Sequence, residues 1–237
     1  MPQSLGANVR LARPKDASEL AIIGAGVQGR SHLEAIAGVR PIKRVRVAAR
    51  RFESAQRFAK EMQDAGSTDV PVRNANAGSA DVPVRSAFAF PIEPVESPEA
   101  AVRGADIIVT ATTSYEPVVQ REWLSPGAHI NAVGTFSFKA RELDTATIAA
   151  ATLFVDRRES ALNEAGDYII AAAEGAIGPD HIRAELGDVL IGAHPGRASE
   201  NEITVFKSLG LAIEDLAAAA HVYHKAAQKN LGARVEF

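Results

Sequence analysis

The sequence predicts an α/β fold, a doubly wound parallel sheet with a C-terminal helix, and three observations carry that expectation. Apolar runs of strand length alternate with helical patterns. A glycine cluster joins the first such run to the first helix. From Gly210 onward the spacing is helical. Strands that are apolar along their whole length, separated by helices, belong to a parallel sheet covered on both faces.

The elements follow in order. "ELAIIG" (Glu19 to Gly24) is a short apolar run before glycines, which reads as a buried strand. "VQGRSHLEAIAG" reads as a helix. "RVRVAA" (Arg44 to Ala49) is a second strand, and "ESAQRFAKEMQDAG" a second helix ending at glycine. Further strands are expected at "ADIIVTAT" (Ala105 to Thr112), "AHINAVG" (Ala128 to Gly134) and "ATLFVD" (Ala151 to Asp156). In the last helix Ala212, Leu216, Ala219, Tyr223 and Ala227 share one face. The pentapeptide DVPVR occurs twice, at Asp69 to Arg73 and Asp81 to Arg85, with small polar residues between. Two copies are too few for a repeat architecture and predict a lengthened surface loop.

Composition narrows the function. The 237 residues are 46% hydrophobic, enough for a sizeable core. A net charge of -3 without long charged blocks argues against nucleic acid or an anionic membrane as partner. The absence of cysteine excludes disulfides, thiolate catalysis and cysteine metal sites. The N-terminus has no signal-peptide core. No run approaches the roughly 20 apolar residues of a membrane helix. A cytoplasmic protein is expected.

Gly24-Ala25-Gly26-Val27-Gln28-Gly29 satisfies G-x-G-x-x-G. Gly24 allows a tight turn out of the strand. Gly26 lets a pyrophosphate approach the backbone, and Gly29 lets the helix pack on the strand. The helix N-terminus offers N–H groups and partial positive charge to phosphates. Strand before and helix after are the context this motif demands, so a Rossmann-type dinucleotide site is expected. A flavin, an adenosyl sulfonium or a turn without ligand are the alternatives.

The end of the second strand selects the dinucleotide. An NAD site usually places an acid there. Here the chain reads Ala48-Ala49-Arg50-Arg51. Two guanidinium groups suit a 2′-phosphate, Ser54 adds a hydroxyl, and NADP(H) is favoured over NAD(H). Arg50 stacked on adenine with Arg51 solvated is the plainer alternative, and Glu53 is near enough to pair with an arginine.

The blocks "GAGVQGRSHLEAI", "ADIIVTATTSYEPVV", "PGAHINAVG", "ARELD", "FVDRRESALNEAGD", "AELGDVLIG" and "TVFKSLGLAIEDLAAA" follow one another in the order of a known family. From about Leu11 to about Leu231 the chain resembles the ornithine cyclodeaminase/mu-crystallin family. The resemblance implies a Rossmann domain that binds NAD(H) or NADP(H) and acts on a small amino or imino acid. It places Thr112, Thr113, Ser208 and Leu209 beside the cofactor, with Lys207 a weaker candidate; capping of the following turn is the alternative for the two threonines, and Val133 stands either against the nicotinamide or in the core. It implies that residues 1–13 are the remnant of a linking helix, 14–209 the dinucleotide-binding domain and 210–237 the C-terminal helix and tail. The family's N-terminal substrate and dimerisation domain is then missing, which weakens any homodimer and predicts an exposed apolar patch on the last helix. Arg10 and Arg13 fall in the linking segment and are not assigned substrate roles.

Cyclodeaminases of the family carry an aspartate shortly after the glycine that ends the "AHINAVG" strand. Here that position is Phe136, which cannot accept a proton, so cyclodeamination is disfavoured and reduction of a cyclic ketimine preferred. A non-catalytic NADP-binding paralogue or a gene fragment is the competing reading. Asp144 is expected to cap a helix. His32 reads as surface or packing and His129 as a satisfied core histidine. His221 and His224 lack an acid partner, and no metal is expected. No catalytic residue is assigned, because in hydride transfer the cofactor carries the chemistry.

Overall fold

A computed structural model describes residues 16–65, 88–233 and 235. The repeated DVPVR segments, Arg10 and Arg13 lie outside these residues. Eight strands form one sheet: β1 (Glu19–Ile23), β2 (Arg44–Ala48), β3 (Ile92–Pro94), β4 (Ile107–Thr110), β5 (His129–Ala132), β6 (Thr152–Val155), β7 (Ile182–Glu185) and β8 (Thr204–Lys207). Their spatial order is β3-β2-β1-β4-β5-β8-β6-β7, and every pairing is parallel. The sheet is the expected Rossmann type. Three of its strands, β3, β7 and β8, were not among the five read from the sequence, and the runs expected at Ala105 to Thr112 and Ala128 to Gly134 are trimmed to their central four residues.

Alternation along each strand builds two cores. Leu20 and Ile22 join Val45, Val47, Ile107 and Val109 on one face. There α1 (Val27–Ala37) contributes Leu33 and Ile36, and α2 (Phe52–Ala65) contributes Ala55, Phe58, Ala59 and Met62. Those four positions recur at i, i+3, i+4 and i+7, the spacing that puts a helix's apolar residues on one stripe. Ala21, Ile23, Ile108 and Ile130 face the other way. They meet the short helices α3 (Pro98–Val102), α4 (Thr145–Ala150), α5 (Arg158–Glu164) and α6 (Gly166–Ala173). A smaller cluster packs Phe154, Ala184 and Phe206 beneath α7 (Leu186–Leu190).

The strand order reverses direction between β1 and β4. In an open parallel sheet, ligands bind outside the carboxyl ends of the strands at such a switch point. Asp144 caps α4 as expected, its carboxylate accepting from the Thr147 N–H at 2.8 Å. The last helix, α8 (Ala212–Gln228), buries no residue and leaves Ile213, Leu216, Val222 and Tyr223 exposed. No helix among the described residues is long and apolar enough to cross a membrane.

Candidate functional site

β1 ends at Ile23, and the chain turns at Gly24 with φ +114°, a conformation reserved for glycine. The turn feeds α1, whose N-cap is Gly26 and whose first N–H groups have no side-chain cap. Unpaired helix-start N–H groups with a positive dipole end form a phosphate site. Around an added Cβ at Gly26 there is nothing within 4 Å, so the backbone is open to a ligand. At Gly29 the same atom would lie 2.4 Å from the Gly24 carbonyl oxygen and 3.1 Å from the Ile22 side chain, which is the close helix–strand contact expected there. The residues present therefore fit a dinucleotide's pyrophosphate.

A cleft of about 730 Å³ opens beside the turn. It brings together seven of the expected residues: Gly24, Ala25, Arg50, Arg51, Ser54, Thr112 and Thr113. Gly26, Val27, Gln28 and Gly29 follow in the turn and α1 but do not line it, and neither do Val133, Ser208 and Leu209. Thr112 and Thr113 lie beyond the end of β4, and Val133 just beyond β5, with its N–H donating to the Thr110 carbonyl at 2.9 Å. Asp156 draws in the β8 exit: it accepts from the Leu209 and Gly210 N–H groups at 2.6 Å each and from the Ser208 hydroxyl at 3.4 Å.

Sequence reading missed Arg57, which lines the same cleft one helical turn after Ser54. The i, i+3 spacing on α2 was the signal. Among the described residues no ion pair engages Arg50, Arg51 or Arg57, and Glu53 makes none either. Glu96 is the one carboxylate on the cleft wall among the described residues. This part of the cleft thus carries three guanidinium groups without an ion pair among the described residues, together with a serine hydroxyl.

Lys207 does not face the cleft. It is buried, and its ammonium sits 3.0 Å from Asp167 and donates to the Thr135 carbonyl at 2.7 Å. Sequence reading also missed Glu142, which is buried and accepts from Thr112 and Gly134 beside the cleft. Phe136 stands 75% exposed on the loop after β5.

The histidines fall as read. His129 is buried between the Thr204 hydroxyl (2.9 Å) and the Asn131 side-chain oxygen (3.0 Å). Burial and the nearby Arg197 lower its pKa to about 3, so the ring is neutral. His32 is buried on α1, and its Nδ1 donates to the Gln28 carbonyl at 2.8 Å. Among the described residues no group of three or more His, Asp or Glu is placed to hold a metal ion.

Residues 5–83 and 72–230 each match the sequence profile of the ornithine cyclodeaminase/mu-crystallin family. The chain belongs to that family. The two matches overlap across the repeated DVPVR stretch, as a local duplication inserted into a family sequence would produce. Among relatives, the ketimine reductase mu-crystallin of Mus musculus is 41% identical over 214 residues, 90% of this chain and 57% of that protein. The Delta(1)-pyrroline-2-carboxylate reductase of Bacillus cereus (strain ZK / E33L) is 38% identical over 233 residues, 98% of this chain and 64% of that protein. The chain thus spans about three-fifths of these relatives' length. Among solved structures, the Delta(1)-pyrroline-2-carboxylate reductase of Thermococcus litoralis, in complex with NADH and L-proline, superposes with a TM-score of 0.86 at 38% identity, covering 99% of this chain and 66% of that one. An archaeal alanine dehydrogenase dimer with bound NAD gives 0.80 at 33% identity, covering 100% of this chain and 66% of that one.

Proposed function

We propose that this chain binds a nicotinamide dinucleotide, NADP(H) in preference to NAD(H), and serves an oxidoreductase that reduces the C=N bond of a small cyclic imino acid. The observation that carries the reading is the glycine turn at the β1/β4 switch point, where Gly24 and Ala25 line the cleft and a Cβ at Gly26 would meet nothing within 4 Å. When bound, the dinucleotide supplies the hydride. The chain's own residues bind and orient it: α1 faces the pyrophosphate and Arg50, Arg51 and Arg57 surround the adenosine end. Free guanidinium groups favour a 2′-phosphate over the 2′-hydroxyl that an acid would hold. The imino-acid substrate is supported by the activities that name the mouse and bacterial relatives. Phe136 has no group to exchange a proton with an amine, which supports reduction over cyclodeamination.

The test is oxidation of NADPH, followed at 340 nm, with a five- or six-membered cyclic ketimine carboxylate. Consumption of NADPH that depends on the imine supports the reading. Ammonia release from ornithine instead would overturn it.

A further inference from the structure

Beside the cleft lies a buried polar assembly whose charged groups, Glu142, Asp167 and Lys207, do not line it. Glu142 is fully buried. Its Oε1 accepts from the Thr112 N–H at 2.7 Å and the Thr112 hydroxyl at 2.8 Å. Its Oε2 accepts from the Gly134 N–H at 2.8 Å and the Thr110 hydroxyl at 3.0 Å. Four donors fill the acceptor sites of one carboxylate. They come from the exits of two different strands, β4 and β5. The exits touch there: a Cβ on Gly134 would lie 2.2 Å from the Thr112 N and O atoms and 2.5 Å from Glu142 Oε1.

A second carboxylate fixes the first. Asp167 Oδ1 accepts from the N–H groups of Glu142 and Leu143 at 2.8 and 2.9 Å. Asp167 Oδ2 pairs with Lys207, and both side chains are 1% exposed. Lys207 also donates to the Thr135 carbonyl and, at 3.1 Å, to its hydroxyl. Burial pushes the Glu142 carboxyl above its ordinary pKa, and the Lys207 cation and the Thr112 donors pull it back.

What this assembly holds is the cleft wall. The Thr112 hydroxyl that donates to Glu142 accepts from the Ser114 N–H at 3.2 Å, so one carboxylate orients the turn through Thr112, Thr113, Ser114 and Tyr115, all of which line the cleft. Arg50, Arg51 and Arg57 line the same cleft from the exit of β2 and from α2, and this wall lines it from the exit of β4.

We propose that Glu142, held by Asp167 and Lys207, is a positioning residue for the nicotinamide half of the bound dinucleotide, setting the Thr112–Tyr115 wall against which that half lies. This rests on the cofactor reading above. The test variant is Glu142→Gln. A carboxamide offers one acceptor oxygen and one NH₂ donor, so either the Thr112 or the Gly134 N–H must face a donor. Wild type and variant are titrated with NADPH and with 2′,5′-ADP, which carries the adenosine and 2′-phosphate but no nicotinamide. NADPH affinity is expected to fall at least about tenfold in the variant while 2′,5′-ADP binding stays within about twofold. Equal losses for both ligands, or unchanged NADPH affinity, overturn the assignment. A wild type that binds neither ligand overturns the cofactor reading and this inference with it. If E142Q does not fold, Thr112→Val and Thr112→Ser replace it. The valine is expected to show the same split and the serine, which keeps the hydroxyl, to restore NADPH binding. A serine no better than valine overturns the proposal.

Discussion

Gly24 and Ala111 meet backbone to backbone where the chain leaves β1: a Cβ on Gly24 would lie 2.3 Å from the Ala111 carbonyl oxygen. That contact brings the turn that starts α1 against the exit of β4, across the switch point where the cleft opens. It makes Gly24 a structural requirement of the site, whereas a Cβ on Gly26, two residues on, would meet nothing within 4 Å. The two glycines should therefore fail in different ways.

Gly24→Ala combines a positive φ with a backbone clash, and it is expected to cost roughly 2–4 kcal/mol in urea unfolding. A loss under about 0.5 kcal/mol would show that β4 can move away from the turn.

Gly26→Ala meets no atom of the fold and should leave stability within about 0.5 kcal/mol. On the proposed cofactor placement its methyl group meets the pyrophosphate, so NADPH affinity should fall at least about tenfold, roughly 1.4 kcal/mol. Calorimetric titration of the folded variant reads this directly, and undiminished affinity would place the phosphates elsewhere.

Arg51→Ala and Arg57→Ala each remove a guanidinium that has no ion-pair partner among the described residues. A hydrogen bond to a charged group is worth about 1.5–3 kcal/mol, so each should weaken NADPH by roughly tenfold or more and leave NADH nearly unchanged. Parallel losses for both dinucleotides would show that these arginines grip something other than a 2′-phosphate.

His129 gives the fold a pH dependence. Its pKa falls from 6.5 to about 3 on folding, because burial penalises the imidazolium. The unfolded chain therefore takes up a proton near pH 6.5 that the folded chain refuses. The stability from this group is fully present above 6.5 and is lost as pH falls toward 3, at about 1.4 kcal/mol per pH unit. His32 shifts downward too, also through burial. Urea unfolding at pH 7.5 and pH 5.0 should show a steeper loss for the wild type than for His129→Gln, by about 2 kcal/mol. Equal losses would mean that the ring is protonated in the fold.

The unburied α8 should drive association. Ile213, Leu216 and Tyr223 are each more than 60% exposed on one helix. Sedimentation is expected to show self-association, relieved in Leu216→Glu with Tyr223→Glu. A monomer at tens of micromolar protein would contradict this.

How much of this was legible in the sequence follows from the range of each interaction. The glycine turn, β1, β2 and their helices are local patterns and stand where they were read. The strands β3, β7 and β8 were missed because each gives a short or mixed local signal. "IEP" is three residues ending in proline, "IRAE" alternates but spans only four residues, and "TVFK" ends in a lysine that pattern reading places in water. Lys207 is buried because Asp167, forty residues earlier, neutralises it. Arg57 carried a helical spacing signal that was overlooked. Glu142 carried only its place in the "ARELD" block, which names no role for it: the groups that donate to its carboxylate come from Thr110, Thr112 and Gly134, which only the fold assembles.

Calorimetric titration of the purified chain with NADPH, and separately with NADH, tests whether the turn at Gly24 to Gly29 and the three arginines form an NADP(H) site. One molecule of NADPH is expected to bind per chain, at least about tenfold tighter than NADH. Equal affinities would remove the 2′-phosphate assignment, and binding of neither would contradict the dinucleotide site itself.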